Sequence, residues 1–369
     1  MKIQLLYPVV PPVLDGIGDY TALMASTLAP SHDVGIITGR HQTPASIPGV
    51  KLWPIFGTDS ASYARLIDHV KTTQPDWLIL QYNPFGYGRY GFNLTLPRVM
   101  RRIRNQCRAT KIAMMAHECY VPWGNWKYNV MRTWQRWQFR HLSRTAEVVF
   151  VSTEAWAALS PAKIVKVLPV GSNIPRIAIP RDEARQRLGI KPEQVVLGIF
   201  GSAHPSRLFH MVRAAADSVR QAGRDVLVLY IGAEGAVVRQ QMGDVPCITD
   251  GPLPPDEVSR RLSAIDVALS PYIDGVSSRR GAFIAALEHG LPSVVTRGAN
   301  TDTMIARTDG AALLMVDVDQ EAFNQAIHRL LEHDSLRRSI ANGGRLLFEQ
   351  EFAWPAISQR MVQTLQDLS

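Results

Sequence analysis

Asp274 to Pro292 reads DGVSSRRGAFIAALEHGLP, and its reading decides the fold. It follows a strand-like run, Asp266-Val-Ala-Leu-Ser-Pro-Tyr272, and opens a helix. Ser277 and Ser278 stand where a helix is capped, because a hydroxyl there accepts from an orphan backbone N–H. Arg279, Arg280 and Gly281 then fill the first turn. Basic residues are unfavourable at that partly positive end. Two arginines, unpaired N–H groups and a glycine make sense together if an anion sits there. The body, Ala282 to Leu287, is apolar all round, so it is buried. Gly290 ends the helix and Pro292 leads into a strand, Ser293 to Thr296. A buried α/β helix with a solvated basic start is the plainer alternative.

Working outward, strands and helices alternate twice through the chain, with a proline-marked break near Pro175 and Pro180. Asp76-Trp-Leu-Ile-Leu-Gln-Tyr82 is a continuous apolar run of the kind found in buried parallel strands. This pattern predicts an α/β protein of two doubly wound, Rossmann-like domains facing across a cleft. The first spans 1–172 and is completed by a C-terminal helix, 352–369. The second spans 173–351. Ligands of such sheets bind beyond the carboxyl ends of the strands.

The 369 residues are 46% hydrophobic and 20% charged, an ordinary globular composition. Three scattered cysteines, Cys107, Cys119 and Cys247, suggest neither a zinc site nor a disulfide framework, so a reducing compartment is expected. No apolar run reads as a signal peptide or a membrane span, which predicts a cytoplasmic protein. The net charge is +8, and between Arg98 and Arg144 eleven Lys or Arg face one acid, Glu118. Trp123, Trp126, Trp134 and Trp137 interleave there with Lys127, Arg132, Arg136 and Arg140. That composition suits an anionic membrane surface along a helix at about 126–143, on the inner face of the membrane. It also suits single-stranded nucleic acid, the least favoured partner. An ordinary helix with its aromatic face packed on the sheet is the alternative.

Other residues sit where chemistry belongs. Gly16 and Gly18, in Asp15-Gly-Ile-Gly-Asp-Tyr20, allow a backbone to approach phosphate or sugar. This GxG lacks the third glycine of a dinucleotide fingerprint. Gly201 ends a strand in Gly198-Ile-Phe-Gly-Ser-Ala-His-Pro-Ser-Arg207, and Arg207 opens the next helix, placed to clamp a diphosphate. His117 follows a buried strand and precedes Glu118. A neutral imidazole there serves a sugar hydroxyl or a proton transfer. No metal cluster, nucleophile elbow or Walker loop is legible.

Together these segments resemble retaining glycosyltransferases of the GT-B fold, in the family 4-like group. The resemblance rests on the Gly16 loop, Gly201 to Arg207, Asp266 to Tyr272 running into Gly290-Leu-Pro292, and the terminal Phe352-Ala-Trp354. It implies a nucleotide-diphospho-sugar donor held by Gly16, Gly18, Gly201, Ser202, Arg207, Ser277, Ser278, Arg279, Arg280 and Gly281. Asp19, His117 and Glu118 would face a glycan or lipid-linked acceptor. His117, Arg207 and Arg280 would carry catalysis, with no cofactor and no metal. The family's phosphate-loop Arg slot holds Ser202 and its Lys slot holds Arg207. Its two glutamates, eight residues apart, fall on Ser277 and Ala285 when Gly290-Leu-Pro292 is aligned, whereas aligning on Glu288 puts Arg280 in the first slot; neither alignment recovers the pair. A non-catalytic nucleotide-sugar binder and a nucleotide-sugar epimerase are the competing expectations.

Overall fold

The computed structural model describes residues 1–369, which form two compact units. Met1–Pro169 and Trp354–Ser369 make the first, and Val170–Ala353 the second.

The first unit holds seven parallel strands: β1 (Lys2–Leu6), β2 (Asp33–Gly39), β3 (Val50–Phe56), β4 (Trp77–Tyr82), β5 (Lys111–Ala116), β6 (Val148–Val151) and β7 (Val165–Val167). Their order is β3-β2-β1-β4-β5-β6-β7, with every pairing parallel. All six residues of β4 are buried. A strand covered on both faces needs apolar side chains at successive positions, which explains why Trp77 to Leu80 does not alternate. The helix Trp354–Asp367 buries Ile357, Met361 and Leu365, and Trp354 meets Tyr20 edge-on at 5.1 Å.

The second unit repeats the plan with six strands: β8 (Val195–Phe200), β9 (Val226–Ile231), β10 (Cys247–Thr249), β11 (Val267–Ser270), β12 (Ser293–Thr296) and β13 (Leu314–Val316). Their order is β10-β9-β8-β11-β12-β13, again all parallel. In both sheets the order reverses beside the first strand, between β1 and β4 and between β8 and β11. Loops leaving the two strands diverge there and open a crevice at their carboxyl ends.

The helix Gly281–Glu288 is buried over Phe283 to Leu287, as its uniformly apolar sequence requires. Gly290 closes it with φ +65 while its N–H reaches Leu287 O at 2.9 Å. Glycine adopts that left-handed turn without steric cost.

Its start differs from expectation. Neither Ser277 nor Ser278 caps it: Arg280 occupies the boundary, and no side chain closes the turn. The N–H and Oγ of Ser278 both donate to Asp302 Oδ2, at 2.6 and 2.7 Å, so a partner distant in sequence captures the hydroxyl. Ser277 Oγ is buried without a partner. Arg279 and Arg280 therefore precede the first helical turn rather than fill it. Arg207 likewise precedes its helix, which begins at Phe209. Its backbone bridges antiparallel to Tyr272, while Ile273 N–H reaches Ser206 O and Leu208 N–H reaches Pro271 O. This short ladder holds Arg207 extended and delays the helix.

Candidate functional site

At the reversal point of the second sheet, three segments meet: the loop after β8, the loop after β11, and the approach to the helix Gly281–Glu288. Gly201 lets them close. Its φ is +100, and an added Cβ would lie 3.0 Å from the Ala282 Cβ and 3.4 Å from Arg207 Nη2. A side chain there would be both strained and crowded. Gly281 has open space where a Cβ would point. At this helix start the Arg280 N–H reaches Ser277 O and the Phe283 N–H reaches Arg280 O, both at 3.0 Å, while the Gly281 and Ala282 N–H groups meet no backbone carbonyl.

Tyr272 is the platform. The Arg207 guanidinium carbon lies 4.7 Å from its ring centroid and that of Arg280 4.1 Å. Two cations on one aromatic ring is a costly arrangement unless negative charge comes close. Arg280 is partly neutralised: Nη2 is 2.8 Å from Asp274 Oδ1 and also donates to Ser206 Oγ at 3.1 Å. Arg207 pairs with no carboxylate. It is 6% exposed, and its Nη2 donates to Phe200 O and to the Tyr272 hydroxyl. Its Nε and Nη1 are buried without acceptors, as is Arg280 Nε. Burial pulls the Arg207 pKa below its ordinary value, helped by the charge of Arg280. A buried guanidinium with unmet donors costs several kcal/mol, by order of magnitude, until an anion supplies the missing acceptors.

The surrounding polar groups were not legible as site residues. His204 is exposed, and its Nδ1 accepts from Ser206 N–H at 3.1 Å and lies 2.8 Å from Ser206 Oγ. Partial desolvation, then Arg280 and Arg279, lower its pKa. Glu234 Oε2 accepts from Ala203 N–H and from the Tyr230 hydroxyl, which stiffens the same loop. Asn300 Nδ2 donates to Asp274 at 3.0 Å and fixes that carboxylate under Arg280. Tyr272 and Asp274 lay inside stretches already singled out, and the aromatic beside an acid at a strand end was the available signal. Ser202 is exposed and supplies no charge in the Arg slot. Ala285, in the second glutamate slot, is buried in the core.

The first unit presents different chemistry at its carboxyl edge. His117 Nε2 lies 2.8 Å from Gln81 Oε1, and its ring meets Tyr20 edge-on at 4.6 Å. Burial lowers its pKa to about 3, so it is neutral near pH 7. Glu118 accepts from Asn83 Nδ2 at 3.5 Å. Asp15 caps the first helix, Gly16–Leu28, by accepting from Ile17 and Gly18 N–H at 3.0 and 2.7 Å. The Gly18 N–H is thus committed within the chain. A Cβ on Gly18 would lie 2.7 Å from Val9 O, so this glycine serves loop packing. Gly16 is exposed with open space around it, and Asp19 is half-buried in the first turn.

Two doubly wound parallel sheets in two successive units have the plan of the GT-B fold. Structural comparison agrees. The sucrose-phosphate synthase of Thermosynechococcus elongatus superposes with TM-score 0.73 at 16% identity, covering 99% of this chain and 98% of that one. HepE of Anabaena, in complex with UDP and glucose, gives TM-score 0.70 at 15% identity with both chains fully covered. WaaG, a glycosyltransferase involved in lipopolysaccharide biosynthesis, gives 0.65 at 16%, covering 98% and 99%. At these identities the likeness establishes the fold. No curated protein matches by sequence. Within the second unit, residues 194–333 match the model for glycosyl transferases group 1.

Proposed function

We propose that this enzyme moves a sugar from a nucleotide-diphospho-sugar to a glycan or lipid-linked acceptor, with retention of anomeric configuration and without a metal ion. The observation that carries this reading is Arg207: a buried guanidinium with no carboxylate and two N–H edges unmet. A diphosphate offers several acceptor oxygens and the opposite charge. As the sugar leaves, charge develops on that diphosphate. Arg207, Arg280 and the N–H groups near Gly281 are already aimed at this region, so little reorganisation is needed to stabilise it. These guanidinium groups supply the positive charge that a divalent cation supplies elsewhere. The UDP held by HepE supports a nucleotide diphosphate as the occupant. On the first unit, neutral His117 is suited to hydrogen-bond an acceptor hydroxyl, with Glu118 next to it in sequence and Asp19 next to Tyr20, whose ring meets His117 edge-on.

Ser277 and Ala285 stand in the family's glutamate slots, and this favours a second reading, a nucleotide-sugar binder without transfer activity. Purified protein incubated with a panel of nucleotide-sugars, with and without glycan acceptors and with EDTA present, separates the two. Product formation with retained anomeric coupling by NMR is expected. Donor binding with neither transfer nor hydrolysis would establish the second reading. Isomerised donor without acceptor would establish an epimerase instead.

A further inference from the structure

The helix Trp126–Thr145 is built the wrong way round for an ordinary surface helix. Gln135, Gln138, Phe139 and Leu142 occupy its buried face. Gln135 Oε1 accepts from Val121 N–H at 2.9 Å, and Gln138 Nε2 donates to Gly91 O at 2.8 Å. Amides therefore anchor the inner face, and large apolar side chains point to water. Trp126 is 71% exposed, Val130 48% and Trp137 37%. At about 100° per residue these three fall within roughly 40° of one another. Trp123, in the approach to the helix, is 71% exposed and held in place by Arg132. The Arg132 guanidinium lies 4.9 Å from the Trp123 ring and donates to Val121 O at 2.8 Å. Tyr90 and Phe92 extend the patch: both are exposed, Phe92 meets Trp134 edge-on at 5.7 Å, and Trp134 Nε1 donates to Tyr90 O.

A contiguous exposed aromatic patch marks a binding surface. Its charge selects the partner. Arg136 and Arg140 are exposed beside the tryptophans and pair with no carboxylate. Across 98–144 basic residues outnumber acids eleven to one. A second copy of this face would set arginine rows against each other, since a twofold interface repeats the same patch on both sides. An anionic bilayer meets both demands: indole rings sit at headgroup level while long cationic side chains reach the phosphates. We propose that this face docks on an anionic phospholipid membrane. No helix of the chain is long and apolar enough to cross one, so the attachment is to one leaflet. The inference uses only the first unit and stands apart from the donor reading.

The test is flotation of the full chain with vesicles of phosphatidylcholine containing 30 mol% phosphatidylglycerol, against phosphatidylcholine alone. Binding to the anionic vesicles at low salt is expected, with a blue shift of tryptophan emission. It should fall about tenfold or more in the double variants W126S/W137S and R136E/R140E, and at high salt. Circular dichroism melts and UDP affinity by calorimetry should be unchanged in both variants, which separates loss of docking from misfolding and from failure of the donor site. Absence of low-salt binding, or equal binding by folded variants, would overturn the proposal. So would a vesicle-free dimer that the same variants dissolve, which would make the partner a second copy.

Discussion

The carboxyl edges of the two sheets share a topology and differ in charge. Beyond β8 and β11, two guanidinium groups crowd one tyrosine ring, with a single carboxylate, Asp274, bonded to one of them. Beyond β4 and β5, a neutral imidazole rests on an amide and a phenol ring. One edge is short of negative charge, and the other carries the carboxylates of Asp15 and Glu118 beside that imidazole. The doubly wound frame thus fixes where a ligand goes, and the loops decide whether it is an anion or a hydroxyl.

The largest effect should come from Arg207→Met. Loss of charge-assisted hydrogen bonds, about 1.5–3 kcal/mol, predicts UDP affinity lower by roughly 10- to 100-fold in calorimetry. The same variant should melt no lower than the parent without ligand, because it removes a buried cation that lacks a counter-ion. A lower melting temperature together with unchanged affinity would make Arg207 structural and erase the contrast between the two edges. Next, Asp274→Asn should release Arg280 and tighten UDP binding, by up to about fivefold for so partly exposed an ion pair. Weaker binding would mean that Asp274 positions Arg280 rather than competes with the ligand.

A smaller effect concerns protons. Partial desolvation, then Arg280 and Arg279, depress the His204 pKa, and a bound diphosphate would offset the two charges. UDP binding should therefore take up a fraction of a proton below pH 6.5, measured by calorimetry in buffers of different ionisation enthalpy. His204→Gln should abolish that uptake. The effect on UDP affinity is smallest at His117. Its folded pKa is about 3 against an ordinary 6.5, so between these values the unfolded chain binds the extra proton. Its contribution to stability is complete above pH 6.5 and is lost as pH falls toward 3. His117→Gln should flatten the stability profile there, seen in urea titrations at stepped pH, and should raise the acceptor KM without altering UDP affinity.

The sequence made the sheets readable because burial on both faces leaves one kind of pattern. Trp77 to Leu80 is unbroken, and Phe283 to Leu287 has no polar side. Gly201 and Arg207 were also legible as a strand-end glycine and a nearby cation. Hidden from the sequence was which partner wins a contested group. Ser278 has the right chemistry for a cap, yet Asp302, 24 positions later, takes both its donors. Arg207 could begin a helix by propensity, but a bridge to Tyr272 holds it extended. Asp274 and Arg280 lie six residues apart, and only the turn between them makes an ion pair. The tryptophans of the helix Trp126–Thr145 were visible as a composition, whereas their outward direction depends on Gln135 and Gln138 taking the inner face.

The helix Trp354–Asp367 returns to the first unit, where Trp354 meets Tyr20 and Lys111 Nζ donates to Leu368 O. During translation the first unit therefore cannot finish before residues 354–369 have been made. The central unit, Val170–Ala353, is contiguous and can mature first although it is made second. A stalled or nicked nascent chain would leave Ile357, Met361 and Leu365 missing from their seats, and the uncovered apolar face would be open to chaperones.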